Sequence, residues 1–399
     1  MVRTLVDPRF PARLRELRRA RGLSLRELAD AAYVGKSTLS QLENGRMNPS
    51  VDMGAHLDRA LEADGELAGM VTPGTRDDDP VPPDPPPGGM VLIGAVADPG
   101  RPLASDDLQK LRDTISQLVV LDDAYGGDDL HRLAVRVFRI AGRKLACGAY
   151  APAVETDLQA VVGELGELAA WLLYDADQQD ESRHVNSEAL AVSRLAGDRT
   201  IELLELAHMA MQSVHLRRGR EALRIAEHVL DGDRLSPRVA GLFHLRRARA
   251  LAVLEDRPRS LDALEQAKAL ISGGTTDRDP AWAWWVGEDE LTWHAAMLHA
   301  DLGLHHRAVD LFYATARPDV RRRARYTTLA YLLDALTAVG AWGDAETVLR
   351  DVLPMADEIG STRTARVLKR AADRMCRARV PDSLTDLARV VVSQLPRVR

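Results

Sequence analysis

The 399-residue chain has two cysteines, four phenylalanines and, among its 53 cationic residues, only five lysines. Cys147 and Cys376 stand far apart and in no CxxC or other metal-ligand spacing. They are expected as small core residues in a reducing compartment, not as a disulfide or zinc framework. No apolar run approaches the roughly 20 residues needed to cross a bilayer. The opening "MVRTLVDPRFPARLRELRR" lacks the apolar core of a signal peptide. These absences lead to the expectation of a soluble, cytoplasmic protein with no membrane partner.

Catalytic signatures are missing too. There is no GxxxxGK[ST], no GxGxxG after a strand, no HExxH and no GxSxG. His294, His299, His305 and His306 in "WHAAMLHADLGLHH" are spaced 5, 6 and 1 apart, so they form no i, i+4 ligand pair and read as helix-surface histidines. Asp122-Asp123 and Asp128-Asp129 read as solvated loop or cap residues. The chain is therefore expected to be neither an enzyme nor a carrier of a metal or cofactor. A net charge of −6 excludes a wholly basic nucleic-acid coat but leaves room for one small basic domain.

What is present is Ala and Leu, in a composition that is 46% hydrophobic and 4% aromatic, as in helical proteins. Residues 73–89, "PGTRDDDPVPPDPPPGG", hold seven prolines and four aspartates. Such a stretch cannot bury enough apolar surface to offset its ordering entropy, and its prolines favour an extended spacer. With the short apolar arm "MVLIGAV" (90–96) it forms a boundary region, 73–103, between an N-terminal domain, 1–72, and a long C-terminal one, 104–399.

In the N-terminal domain the pattern predicts four short helices. The first runs over 11–21, with Leu14 and Leu17 inward. The second opens at Ser24 with Glu27 completing a capping box. The third covers 36–43, with Leu39 and Leu42 inward, and stops at Asn44-Gly45. The fourth opens at Pro49-Ser50, with Val51, Leu57 and Leu61 inward. Burying only Leu39 and Leu42 leaves helix three free to present Lys36, Ser37, Thr38, Ser40 and Gln41, side chains suited to base edges in a major groove. Residues 1–46 carry ten Lys/Arg and five Asp/Glu, whereas 47–72 carry one and five, so positive charge gathers beside the candidate reading helix.

"LRELRRARGLSLRELAD" followed by "STLSQLENGRMNPS" resembles the helix-turn-helix of the XRE, or Cro/phage-repressor, family. The resemblance implies base contacts from Lys36, Ser37 and Gln41, with Thr38 beside them, and DNA-backbone contacts from Arg46 and its "NGR" turn. It also implies a structural pair between Arg18 and Glu43 that orients helix three. The chain departs from the family at Leu25, where a phosphate-touching Gln is usual, and at Tyr33, where the turn usually has Gly.

The C-terminal domain reads as helices throughout. "LRRGREALRIAEHVL" (216–230), "LEDRPRSLDALEQAKAL" (254–270), "LGLHHRAVDLFYATA" (302–316) and "VGAWGDAETVLRDVLP" (339–354) each present a turn, a small residue and an amphipathic helix. Ala222, Ala263, Ala308 and Ala345 mark a period of 41, 45 and 37 residues. Gly303 and Gly340 each precede their Ala by five residues, with Phe312 and Leu349 four further on. These units resemble tetratricopeptide repeats (TPR), which implies a curved superhelix with a groove. The fold class is thus all-α: a helix-turn-helix bundle joined by a Pro-rich linker to a TPR-like solenoid.

"DPAWAWWVGEDELTWH" gathers four of the six tryptophans. If Ala308 closes one repeat, the groove-facing positions become Glu290, Trp293 and Met297, with Asp334, Met211 and His215 in neighbouring units. Together they are candidates for a ligand pocket; tryptophan packing between repeats is the alternative. The two-domain plan resembles that of the RRNPP-type regulators; the Arg/Ala/Gly/Pro bias suggests only a GC-rich genome, in keeping with an actinobacterial source. That resemblance implies a signalling peptide held by groove asparagines, and here only Asn186 is available. The partners expected are therefore double-stranded DNA bearing an inverted repeat, a second copy of the chain as homodimer, and a peptide, small molecule or protein in the groove. The alternative is a scaffold whose protein partner is primary, with DNA binding merely localising the complex.

Overall fold

The computed structural model describes residues 4–7, 9–32, 36–44, 49, 51–61, 63, 65–73, 98, 101–232, 234–317, 320–378, 380 and 382–395. The chain divides into two compact units, Met1–Pro86 and Pro87–Arg399.

In the first unit, α1 (Phe10–Ala20) ends at Gly22, whose φ of +67° lets the chain reverse. Then α2 (Leu25–Ala31) opens on its capping box. Ser24 Oγ accepts the Glu27 N–H at 3.2 Å, and Glu27 Oε2 accepts the Ser24 N–H at 2.8 Å. Next come α3 (Lys36–Glu43), α4 (Val51–Ala60) and the single-turn α5 (Glu66–Gly69). Leu14, Leu28, Leu39, Leu42, Leu57 and Leu61 are fully buried together. The Leu39/Leu42 and Leu57/Leu61 pairs, three and four residues apart, put one face of each helix into this core. Asp58 holds the start of α5, its carboxylate accepting the N–H groups of Gly65, Leu67 and Ala68 at 2.7–3.0 Å. A small antiparallel ladder has no counterpart in the sequence reading. It pairs β1 (Thr4–Val6) with β2 (Val71–Pro73), bringing the segment before α1 beside the segment after α5. Three residues are too few for alternation to show, and Pro73, which composition assigns to the linker, is the last of the strand.

The second unit folds, between Ser105 and Gln394, into fourteen α-helices among the described residues, each packed on its neighbours. Among the described residues, no helix is long and apolar enough to cross a membrane. From Gln178 onward, six turns share one hydrogen-bond pattern. The N–H groups of Gln178, Asp198, Arg218, Asp256, Leu304 and Ala341 each reach the carbonyl five residues back, closing the preceding helix. The residue before each is left-handed. Three are glycines, Gly197, Gly303 and Gly340, but Asp177, Arg217 and Glu255 adopt φ of 59°, 59° and 62° without that freedom. In five of the six turns, a small buried residue follows the left-handed one after five positions: Ser182, Ala222, Ser260, Ala308 and Ala345. Ser260 therefore replaces Ala263 in the repeat series. The turn in that unit is centred on Glu255, which carries no glycine signal, so the sequence register slips by three.

The array does not stay open as a groove. Its last helices return to its first. Gly360 donates its N–H to Tyr125 O at 2.7 Å and accepts the Asp128 N–H at 3.0 Å. The Asp128 carboxylate accepts Thr362 N–H and Oγ1–H, both at 3.0 Å. Asp175, with no exposed surface, accepts Arg363 Nη2–H at 2.7 Å and Ser361 Oγ–H at 2.9 Å. Arg323 stands 3.6 Å from Asp175 and 3.2 Å from Asp122, which also accepts the Trp171 indole N–H at 3.1 Å. Two expectations are corrected here. Asp122 is buried within the Ser105–Tyr125 helix and Asp128 is half-buried, because arginine and threonine donors arrive from the far end of the chain. The cysteines are corrected as well. Both are exposed: Cys147 follows the last turn of the His131–Ala146 helix, and Cys376 lies in the final turn of Thr362–Arg377.

Candidate nucleic-acid interface and interior cavity

In the first unit, α3 is braced at its C-terminal end by two arginines from α1. Arg18 meets the Glu43 carboxylate in a two-pronged pair, Nε to Oε1 at 2.5 Å and Nη2 to Oε2 at 3.0 Å. Its remaining nitrogen donates to Leu23 O at 2.8 Å. Arg15 donates to Glu43 O and to Asn44 Oδ1, each at 2.7 Å. Glu43 is only 6% exposed, so this charge-assisted pair works away from bulk water. With Leu39 and Leu42 in the core, α3 is fixed in both rotation and tilt. Arg15 was not anticipated; its one sequence signal is a spacing of three from Arg18. Lys36, Ser37, Thr38 and Gln41 lie on α3, but their side chains, like the whole of Tyr33 and Arg46, fall outside the described residues, as does the 90–96 arm.

This is a helix-turn-helix domain, the class of small module that places a helix against DNA. Residues 9–68 match the family model described as a helix-turn-helix domain. A 40-residue segment is 55% identical to the HTH-type transcriptional regulator DdrOP3 of Deinococcus deserti. That segment is 10% of this chain and 31% of that protein, so the chain spans about a third of the curated relative it matches. The family match lies wholly within the first unit.

Within the second unit, Met211, His215, Trp293 and Met297 converge, as the sequence candidates suggest, on a cavity of about 30 Å³. Tyr174, Arg246, Arg249, His294 and Tyr331 line it with them and were not anticipated, since they come from separate helices with no shared motif. The other three candidates lie elsewhere. Asn186 is buried, with its Nδ2 3.4 Å from Glu205 O. Asp334 accepts two bonds from Arg370, at 2.8 and 3.0 Å, and one from Arg374 at 3.1 Å. Glu290 stands behind the cavity wall, its Oε1 2.8 Å from His294 Nε2. Of the four clustered tryptophans only Trp293 reaches the cavity. Trp282 donates to Thr200 O at 2.9 Å and packs on Trp285, and Trp284 is exposed beneath Arg321.

His294 corrects the surface reading of the histidines. It is 1% exposed, with Nε2 2.7 Å from Arg246 Nη1. His299 and His305 are half-buried, and only His306 is exposed. Burial pushes the His294 imidazole down to about 4 against the pull of Glu290, so the ring is neutral at neutral pH. Burial also lowers Arg246, to about 10, which leaves it a cation. The cavity adjoins the closure of the array: Tyr174 lines it, Asp175 is the next residue, and the Arg363 guanidinium lies 4.9 Å over the Tyr174 ring.

Proposed function

We propose that the protein is a sequence-specific transcriptional regulator, not an enzyme, in which α3 enters the major groove. Lys36, Ser37 and Gln41 contact base edges with Thr38 beside them, Arg46 contacts the backbone, and the Arg18–Glu43 pair holds the helix at its angle. The observation that carries this reading is the double bracing of α3, by Leu39 and Leu42 beneath it and by Arg15 and Arg18 at its end. A reading helix must be held rigidly if base-edge hydrogen bonds are to discriminate. One such module spans few base pairs, so two copies on an inverted repeat are the natural arrangement, with the C-terminal array as dimerisation and sensing domain. A peptide, small molecule or protein bound by that array changes the spacing of the paired modules only if it binds one arrangement better than the other. Contact between the cavity and the Asp175–Arg363 closure supports this coupling, because a ligand touching Tyr174 acts directly beside the pair.

The test is selection of genomic fragments by purified protein at physiological salt, repeated with the Lys36→Ala/Gln41→Ala double variant. An enriched inverted repeat that vanishes in the variant is the expected result. No enrichment with an intact array favours the scaffold reading, in which the partner of the second unit is primary.

A further inference from the structure

Arg246 is 1% exposed, yet among the described residues no carboxylate pairs with it. Its Nε donates to Ala207 O at 3.0 Å and its Nη1 lies 2.7 Å from His294 Nε2, while Nη2 makes no hydrogen bond among the described residues. Glu290 makes no direct bond to the guanidinium and acts on it only through space, opposing the effect of burial. His294 Nε2 is within hydrogen-bond distance of both Arg246 and Glu290, but one ring nitrogen cannot accept from the first and donate to the second. In either tautomer His294 Nδ1 is buried without a partner. A buried cation short of an anion and a buried ring nitrogen short of a bond are both costly unless something completes them.

Arg246 and His294 both line one cavity. Its lining carries Arg246 and Arg249 and contains no Asp or Glu, and Arg249 already meets Asp301 at 2.9 Å. The remaining walls are Tyr174, Trp293, Tyr331, Met211, Met297 and Val214, with the His215 and His294 imidazoles. At ~10–15 Å³ for each enclosed water, about 30 Å³ admits two water-sized groups, the size of one carboxylate's pair of oxygens.

We propose that the cavity binds the carboxylate of an organic acid, Arg246 supplying the charge and the body of the acid lying outside the enclosed volume. The acid is either a free small molecule or the C-terminus of a peptide. This deepens the sensing role proposed above and rests on it, but it is measured without DNA, so failure of the DNA-binding reading leaves it standing.

The experiment compares each acid with its neutral amide on the full-length protein, using saturation-transfer NMR and thermal unfolding. Phenylacetate against phenylacetamide probes the free acid, and N-acetyl-leucine against N-acetyl-leucinamide probes a peptide end. The expected result is saturable binding of at least one acid, with its amide at least tenfold weaker and the preference lost in Arg246→Met. Preference for one pair identifies the source. Equal behaviour of acid and amide in both pairs, or no binding of either acid, overturns the proposal. Because the acid–amide contrast is read on the unmodified protein, a variant that fails to fold does not remove the test.

Discussion

Asp175 and Arg363 are 188 residues apart in the chain and 2.7 Å apart in space, both almost wholly buried. Around them the Glu155–Asp175 helix, near the start of the second unit, meets the Thr362–Arg377 helix, near its end. Burial alone raises the Asp175 carboxyl, but Arg363 and Arg323 overcome it and hold the group below the usual carboxylate range. Its contribution to stability is therefore present above that range and lost as pH falls through its lowered value. Asp175→Asn leaves two arginines short of their anion, and breaking such a pair costs about 3–5 kcal/mol. Urea denaturation between neutral and acid pH checks this. The variant is expected to be less stable at neutral pH, with the two proteins converging at low pH; a constant difference would reject the assignment.

Closure also depends on a backbone approach. A Cβ on Gly126 meets Gly360 O at 2.4 Å, at a φ of +80°. Gly197 has a similar φ, +69°, but open space around its missing Cβ. Gly197→Ala is expected to cost the left-handed strain alone, about 1–2 kcal/mol. Gly126, with ψ of −177°, sits in a region open essentially to glycine alone, so Gly126→Ala carries a larger backbone strain, adds an overpacking cost of about 1–3 kcal/mol and displaces the Tyr125–Gly360 contact. Equal denaturation midpoints for the two variants would show that the array ends do not bear on one another.

The contrast between these ends and the first unit shows what the sequence can express. The core of the helix-turn-helix lies in spacings of three and four, Leu39 to Leu42 and Leu57 to Leu61, and its caps in Ser24 and Glu27; all of that is local. The Arg18–Glu43 pair came from resemblance, and Arg15 escaped because nothing in the sequence says which arginine of α1 faces α3. In the second unit Gly303 and Gly340 announced their turns, whereas Glu255 did the same work unannounced and shifted the repeat register. His294 looked like a surface residue because the guanidinium that covers it, Arg246, belongs to a helix 48 residues earlier. Closure of the array was illegible for the same reason. Asp122 and Asp128 read as solvated until partners from 323–363 are placed against them.

The bracing of α3 gives a third prediction. Arg18→Ala leaves Glu43 buried with Arg15 alone, whose Nε is 3.5 Å away. Destabilisation of the first unit by about 2–3 kcal/mol is expected, from loss of a charge-assisted bidentate pair. DNA binding should weaken on specific sites more than on random sequence, since the angle of the reading helix matters only to base contacts. Arg46→Ala should instead weaken both alike and reduce the salt dependence. Titrations of both variants on a selected site and on random DNA at several salt concentrations separate the two. Identical losses would remove the distinction between positioning and backbone contact.

Glu205 supplies the clearest pH signature. It has no exposed surface, accepts Ser193 Oγ–H at 2.8 Å through Oε1, and its Oε2 has no partner. Burial, reinforced by the nearby Glu167, Glu202 and Asp198, pushes its carboxyl up to about 9 despite the serine bond. The folded protein thus keeps a proton at neutral pH that the unfolded chain, with an ordinary carboxyl near 4.5, has released. Stability contributed by this group is complete below the unfolded value and declines as pH rises towards 9, by about 1.4 kcal/mol per unit at most. Glutamine keeps the acceptor for Ser193 and cannot titrate. Glu205→Gln should therefore match the parent near pH 5 and exceed it by on the order of a few kcal/mol at pH 8. Melting temperatures of the two proteins from pH 5 to 8 decide the matter. Curves that diverge with rising pH follow from a buried, protonated Glu205, and parallel curves would mean that the carboxyl is ionised and that this interior is wetter than its packing implies.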